Sequence, residues 1–408
     1  MIQLTPPQFQ KSFSFSKAEK EFMKLNHDIK NEDVLSIFKS NPREQYERLV
    51  QQIFLRQQAK QKFPSLYQHP DVFYPTSLSV EQSSSEEAAK FKASLFQGKK
   101  FVDLTGGMGV DSLYFAKQFQ KGIIIEQNIE LATISAHNFA LLNQLNVEFG
   151  IGLHAEDFVN SMNEKSDLVF IDPARRDKHG GKIVRLEDCE PNIIQLQERI
   201  FEFTDHILIK TSPLLDINLA CHQLKYVRNV YVVAIENECK ELLFHLEKNY
   251  IGDYQIHAIH LKENSVDKLS FWNDGERLAI SNLSEVKKYL YEPNAAIMKA
   301  GCFKSICDEF NFYKLHMNSH LYTSEQSIKN FQGRSFEVLN VLQLDKRKLQ
   351  ELIPDMKANL TIRNFPGSVA DLRKKLCLKD GGNTYLFATT DFLNNKILIH
   401  TRKMMSSN

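Results

Sequence analysis

The sequence predicts an α/β protein: a parallel sheet with helices on both faces, an N-terminal helical region before it and small α+β modules after it. Three observations carry that expectation. Between about 100 and 260, short β-rich runs alternate with amphipathic segments, the pattern of a parallel sheet. Before about 90, apolar residues recur at three- and four-residue intervals, the helical period. Beyond about 265, strand runs and helical stretches mix without strict alternation.

In the first region, KAEKEFMKL, NEDVLSIFKS and EQYERLVQQIFLRQQAKQKF read as helices, with a break at Asn41-Pro42 and a looser stretch around Pro70 and Pro75. Ser83, Ser84 and Ser85 precede EEAAKFKASLF, a helix-start signal of Ser followed by Glu in the first turn. Strands are expected at KFVDL (100–104), GIIIE (122–126), VEFGI (147–151), DLVFID (167–172), HILIK (206–210) and NVYVVAI (229–235). LSFWNDGERLAIS reads as a hairpin turning at Asn273-Asp274-Gly275. Pro293 opens NAAIMKAGCFKSICDEF, which reads as one helix. RSFEVLNVL, ANLTIRNF, TYLFATT and KILIHT read as strands, and SVADLRKKLC as a helix.

Composition narrows the function. The 408 residues hold 51 Lys+Arg against 50 Asp+Glu, a formal charge of +1. Any nucleic-acid contact must therefore come from local basic patches, not a global field. Hydrophobic residues at 42% and charged residues at 25% exclude a disordered chain. MIQLTPPQFQKSF has no basic stretch leading into an apolar core, and no apolar run nears the roughly 20 residues that cross a bilayer. No membrane association is expected. The six cysteines form no CxxC pair, which suits reduced thiols and a cytoplasmic setting. Cys302 and Cys307 lack a second ligand pair, and the histidines form no HExxH, so no metal is expected.

The informative stretch is FVDLTGGMGVDSLYFAKQF, 101–119. A β-run ends at Asp103, then Thr105, Gly106, Gly107 and Gly109 lead into a helix. Glycines permit a tight turn and a close ligand, and the helix start adds free N–H groups. Glu126 closes the next strand, where a carboxylate can hold ribose hydroxyls. Asp157 follows the third strand and can accept from an adenine amino group; Asp172 closes the fourth. Ligands of open α/β sheets bind outside those strand ends, so these four acids are expected to share one cleft. A dinucleotide is the competing ligand. Its fingerprint wants Gly or Ala where Ser112 stands, and a carboxylate such as Asp103 repels pyrophosphate but attracts a sulfonium or ammonium group. S-adenosyl-L-methionine is the preferred ligand.

With those residues in hand, the chain resembles the class I S-adenosylmethionine-dependent methyltransferases, whose sheet is Rossmann-like. DLTGGMG looks like their glycine-rich motif, Glu126 like the ribose acid and Asp157 like the adenine-side acid. Asp172-Pro173-Ala174-Arg175 is similar to the D-P-P-x motif of enzymes that methylate nucleobase amino groups, with Ala174 where a second Pro is common. The resemblance implies that Asp172 or nearby carbonyls accept from the target amine and that Pro173 shapes the pocket. EQSSSEEAAKFKA, EPNAAIMKAG and TIRNFPGSVADLRKKLCLKDGGNTYLFAT extend the likeness to bacterial methyltransferases with ferredoxin-like and THUMP-like C-terminal domains. The implied organisation is 1–92 helical, 93–265 catalytic, 266–325 ferredoxin-like and 326–405 THUMP-like.

The THUMP-like likeness implies a structured RNA partner, tRNA or rRNA. Two basic patches suit it. RRDKHGGKIVR (175–185) includes Arg176, Lys178 and Lys182 beside the acceptor motif. Arg363, Arg373, Lys374 and Lys375 lie in the C-terminal module. The expected activity is methylation of a base amino group in RNA. The alternatives are DNA, protein or small-molecule targets, or an inactive RNA-binding protein on the same fold.

Overall fold

The structure, a computed structural model, describes residues 3–40, 42–175 and 185–404. They form two compact units, Met1–Arg228 with Leu243–Ile251 and Asn229–Leu242 with Gly252–Asn408.

The first unit opens with helices α1 (Lys17–Leu25), α2 (Val34–Ser40), α3 (Arg43–Lys62), α4 (Pro64–Tyr67), α5 (Ser77–Gln82) and α6 (Glu86–Ser94). Their ends follow local chemistry. Ser16 and Glu19 form a reciprocal capping box on α1, and Ser85 Oγ accepts from Ala88 N to start α6. Phe15, Met23, Leu49, Ile53 and Phe73 cluster with Ile134, so these helices bury their apolar faces on the sheet layer that follows.

That layer alternates strand and helix: β1 (Gly98–Asp103), α7 (Val110–Phe115), β2 (Phe119–Glu126), α8 (Ile129–Leu141), β3 (Val147–Ile151), α9 (Ala155–Ser161) and β4 (Leu168–Ile171). A short ribbon of β5 (Ala174–Arg175) and β6 (Cys189–Glu190) precedes α10 (Ile193–Ile200) and β7 (His206–Thr211). The order β3-β2-β1-β4-β7 is parallel throughout. Ile123 to Ile125, Leu168 to Ile171 and Ile207 to Ile209 are all buried, as strands covered on both faces require. Winding reverses between β1 and β4, so a crevice opens at their C-terminal ends. At the other margin Thr5 makes an antiparallel bridge to Phe149 of β3, with Thr5 N to Phe149 O at 2.9 Å and Phe149 N to Thr5 O at 2.7 Å.

Helix α11 (Ile217–Gln223) leads to β8 (Val227–Ile235) and β9 (Glu238–Glu247). In the second unit β8 runs parallel to β10 (Gln255–Lys262), which pairs antiparallel with β11 (Ser265–Trp272). The expected hairpin at Asn273-Asp274-Gly275 is not formed: these residues start helix α12 (Asn273–Leu278), and the partner of β11 lies upstream. Glu276 stabilises that helix's place by accepting from the backbone N–H groups of Phe303, Lys304 and Ser305. The helix expected after Pro293 is also two helices, α13 (Ala295–Ala300) and α14 (Ser305–Phe310). Gly301, at φ +79°, ends the first in a left-handed cap.

The remaining strands are β12 (Tyr289–Pro293), β13 (Tyr313–Lys314), β14 (Tyr322–Ser324), β15 (Gly333–Gln343), β16 (Asn359–Arg363), β17 (Thr384–Thr390) and β18 (Lys396–Lys403). They form a seven-stranded sheet in the order β13-β14-β12-β15-β18-β17-β16. Helices α15 (Lys346–Leu352) and α16 (Val369–Leu376) bury Leu349, Leu372 and Leu376 against Leu386 and Leu398 of that sheet. Among the described residues, no helix is long and apolar enough to cross a membrane.

Candidate active site

The turn after β1 is built by its glycines. Gly106 N donates to Ile125 O at 2.8 Å, which pulls the turn against β2; a Cβ there would lie 2.5 Å from Ile124 Cγ2. Gly109 caps α7 at φ +77°, where a Cβ would come within 2.4 Å of Ser135 Oγ. Gly107 differs. A Cβ on it would meet only Thr105 O, at 3.9 Å, so this glycine leaves open space on the cleft side. Its N–H donates to the Glu126 carboxylate at 2.8 Å, and Asn128 N donates to the other oxygen at 2.8 Å.

The cleft above this turn encloses about 260 Å³. Thr105, Gly107, Glu126, Glu156 and Asp172 supply its polar wall, and Leu104, Met108, Ile125 and Leu131 its apolar wall. Helix α5 and the segment after it contribute Ser79, Gln82 and Ser83. Glu190 and Pro191, joined by a cis peptide bond, close the side next to Ala174. The ends of β1 and β4 are tied together, since Asp172 N donates to Thr105 Oγ1 at 2.7 Å.

Two of the four expected acids, Glu126 and Asp172, face this cleft. Asp103 lies beneath the turn, 1% exposed, accepting from Ser112 Oγ at 2.5 Å and from Thr105 N at 2.9 Å. Burial pushes its carboxyl up to about 7 against the pull of those hydrogen bonds, and the Asp111 and Asp172 charges push the same way. Asp157 sits exposed on the first turn of α9 and is not part of the cleft wall; its neighbour Glu156 is. An acid in a first helical turn is already favoured there by the helix dipole, which needs no ligand.

Asp172 has a cationic partner. Lys210, in β7, places Nζ 2.5 Å from Asp172 Oδ2 and 3.7 Å from Asp111 Oδ2. Lys92, with its side chain 0% exposed, places Nζ 3.1 Å from Asp111 Oδ1. Burial raises the Asp111 carboxyl, but the Lys92 and Lys210 ammoniums outweigh it and hold the carboxyl below its ordinary range. Ser84 Oγ accepts from both lysines, at 3.0 and 3.1 Å, and donates to Asp111 Oδ2 at 2.8 Å. Sequence reasoning reaches Lys210 only as a strand-end lysine that can border the pocket and misses the rest of this group. Its local signals were two: a lysine closing the strand ILIK, and a lysine inside the small-residue run AAKFKAS.

Of the other expected residues, Ala174 lines the cleft and Pro173 is buried beside it. Arg176, Lys178 and Lys182 lie outside the described residues, as does the Arg175 side chain. Arg363 pairs with Glu292 at 2.8 Å, and Arg373 pairs with Asp380. Lys374 and Lys375 are exposed.

Comparison with known proteins bears on the whole chain. Residues 289–331 match a ferredoxin-like domain and residues 333–403 a THUMP domain-like family. A solved structure from Porphyromonas gingivalis W83, described provisionally as a methyltransferase, is 31% identical with a TM-score of 0.86. The likeness covers 98% of this chain and 100% of that one. This chain belongs to the same family. It is a class I S-adenosylmethionine-dependent methyltransferase with ferredoxin-like and THUMP-like C-terminal domains. The methyltransferase also resembles the tRNA (uracil(54)-C(5))-methyltransferases of Pyrococcus furiosus and Pyrococcus horikoshii, at 28% and 27% identity over 126 residues. That match spans 31% of this chain and only 28% and 29% of those proteins.

Proposed function

We propose that this methyltransferase moves a methyl group from S-adenosylmethionine to a base amino group of RNA, in tRNA or rRNA. The observation that carries the reading is the Asp172 carboxylate, which meets the glycine turn in one cleft at the switch point between β1 and β4. The residues present fit the donor. Gly107 leaves its space unfilled, Glu126 closes the second strand where hydroxyls would be held, and Glu156 and Glu190 give the wall a negative character suited to a cation. Bound there, S-adenosylmethionine supplies a methyl group already activated by its sulfonium charge.

The chain's own work is to position and to exclude water. An exocyclic amine is a poor nucleophile because its lone pair is delocalised into the ring. Asp172 and the backbone carbonyls of Pro173 and Ala174 can accept from its N–H groups and favour pyramidal nitrogen. Positive charge develops on that nitrogen, and acceptors aimed at it stabilise the transition state. The likeness to uracil-54 enzymes favours a second reading, methylation of ring carbon. Uracil C5 is weakly nucleophilic until a covalent partner adds to the ring. Among the described residues that line the cleft there is no cysteine, which supports the amine. None of the six cysteines is joined in a disulfide, which supports a cytoplasmic setting.

The test is mass spectrometry of nucleosides from tRNA and rRNA of cells with and without the protein. One methylamino nucleoside should vanish in its absence and return with the wild-type chain. An unchanged nucleoside profile would sink the RNA reading and turn the search to DNA, protein and small molecules.

A further inference from the structure

We propose that Lys210 is the positioning residue of the Asp172 carboxylate, held in place by a buried chain of alternating charges rooted in the N-terminal helices. The inference rests on the reading of Asp172 as acceptor for the target amine. The chain runs Lys92, Asp111, Lys210, Asp172, through contacts of 3.1, 3.7 and 2.5 Å. Two ammoniums and two carboxylates cancel, so none of these charges is buried without a counter-charge. Ser84 binds the chain together. Its hydroxyl has one donor and two acceptor sites, and the contacts to Asp111, Lys92 and Lys210 use all three.

Geometry assigns the division of labour. Lys210 is not among the residues lining the cleft, and its side chain is 11% exposed, so it does not reach an acceptor itself. It engages Asp172 Oδ2, which anchors one carboxylate oxygen; in this proposal the other, Oδ1, receives the incoming N–H. Asp111 lies in the first turn of α7, directly after the glycine turn. The same ion chain therefore links the donor side of the cleft to its acceptor side. Ser84 and Lys92 come from the helical region before the sheet, which gives that region a part in the chemistry besides packing.

The experiment uses the full chain, tritiated S-adenosylmethionine and total RNA from cells lacking the protein, with Lys210→Met, Lys210→Arg and Ser84→Ala. Lys210→Met should lower kcat by about 30-fold or more, while the KM for RNA and the calorimetric Kd for S-adenosylhomocysteine stay within about twofold. Lys210→Arg should restore much of the rate, because it returns a cation to Oδ2. Ser84→Ala, which leaves every charge paired, should cost roughly three- to tenfold in kcat and decides the matter if Lys210→Met does not fold. A wild-type kcat in Lys210→Met, or in a folded Ser84→Ala where the lysine variant is unfolded, would overturn the proposal. If the wild-type chain labels no RNA, the RNA reading falls separately. The crystal structure of Lys210→Met, or of Ser84→Ala if the lysine variant does not fold, then judges the positioning role: an undisplaced Asp172 carboxylate overturns it.

Discussion

The Gly107 N–H donates to the Glu126 carboxylate across 2.8 Å, tying the glycine turn of β1 to the tip of β2. One carboxylate thus shapes the turn and stands on the cleft wall. Glu126→Ala should weaken S-adenosylmethionine binding by roughly 10- to 100-fold, the worth of about 1.5–3 kcal/mol for hydrogen bonds to a charged group. Calorimetry measures it, and NADH run beside it should show no binding. Tight NADH binding would overturn the choice of ligand.

Asp172→Ala should separate binding from chemistry. We expect methyl transfer to fall at least about 100-fold, about 2.7 kcal/mol in the barrier, with the Kd for S-adenosylhomocysteine little changed. The thermal midpoint serves as the folding control. An active Asp172→Ala enzyme would remove the amine mechanism.

Gly109→Ala should destabilise the fold by on the order of 2–3 kcal/mol. The new Cβ would meet Ser135 Oγ and Phe139 while the backbone holds φ +77°. Urea unfolding reads the loss. Gly107→Ala, at φ +54° with only one atom in reach, should cost less stability but should obstruct the ligand.

Asp103 makes stability depend on pH. Its carboxyl sits near 7 when folded and near 4 when unfolded, so between those values the folded chain holds a proton that the unfolded chain has lost. Stability should therefore fall as pH rises from 4 to 7 and stay lowered above it, by on the order of 4 kcal/mol. Asp103→Asn keeps an acceptor for Thr105 and should flatten this slope in chemical melts at pH 5 and pH 8. A wild-type slope of the opposite sign, with no difference in the variant, would refute the assignment.

In the C-terminal sheet the basic residues are not equivalent. Arg363 and Arg373 are engaged by Glu292 and Asp380, whereas Lys374 and Lys375 are exposed on α16. If RNA is bound there, Lys374→Gln with Lys375→Gln should reduce the salt slope of tRNA binding by up to about two. Arg373→Gln should change it little. Filter binding between 50 and 200 mM salt distinguishes them.

The central sheet was legible because β2, β4 and β7 carry continuous buried apolar runs, and each strand, with β1 and β3, is bounded by turns or helical patterns. Glu126 and Asp172 were legible because strand tips in such a sheet have one available place. Asp157 was not, since an acid in a first helical turn reads the same whether it serves a ligand or the helix. Asp103 was placed correctly along the chain, but nothing local shows that Ser112 would fold over it and seal it from the cleft. Lys92, Asp111 and Lys210 are brought together from sequence distances that no periodicity spans. The turn at Asn273 misled for a related reason: Glu276 is held by backbone groups near residue 304, and that contact, not the Asp-Gly pair, decides the local shape.

Strand β3 ends the order of its sheet, and Thr5 covers part of its outer edge with a pair of backbone hydrogen bonds. An uncovered edge strand is a template on which a second copy can add itself. The opening residues thus act as a built-in guard against self-templated stacking. A chain shortened by about ten residues, or one with a bulky fusion fixed to Thr5, would lose that guard while keeping every residue of its cleft.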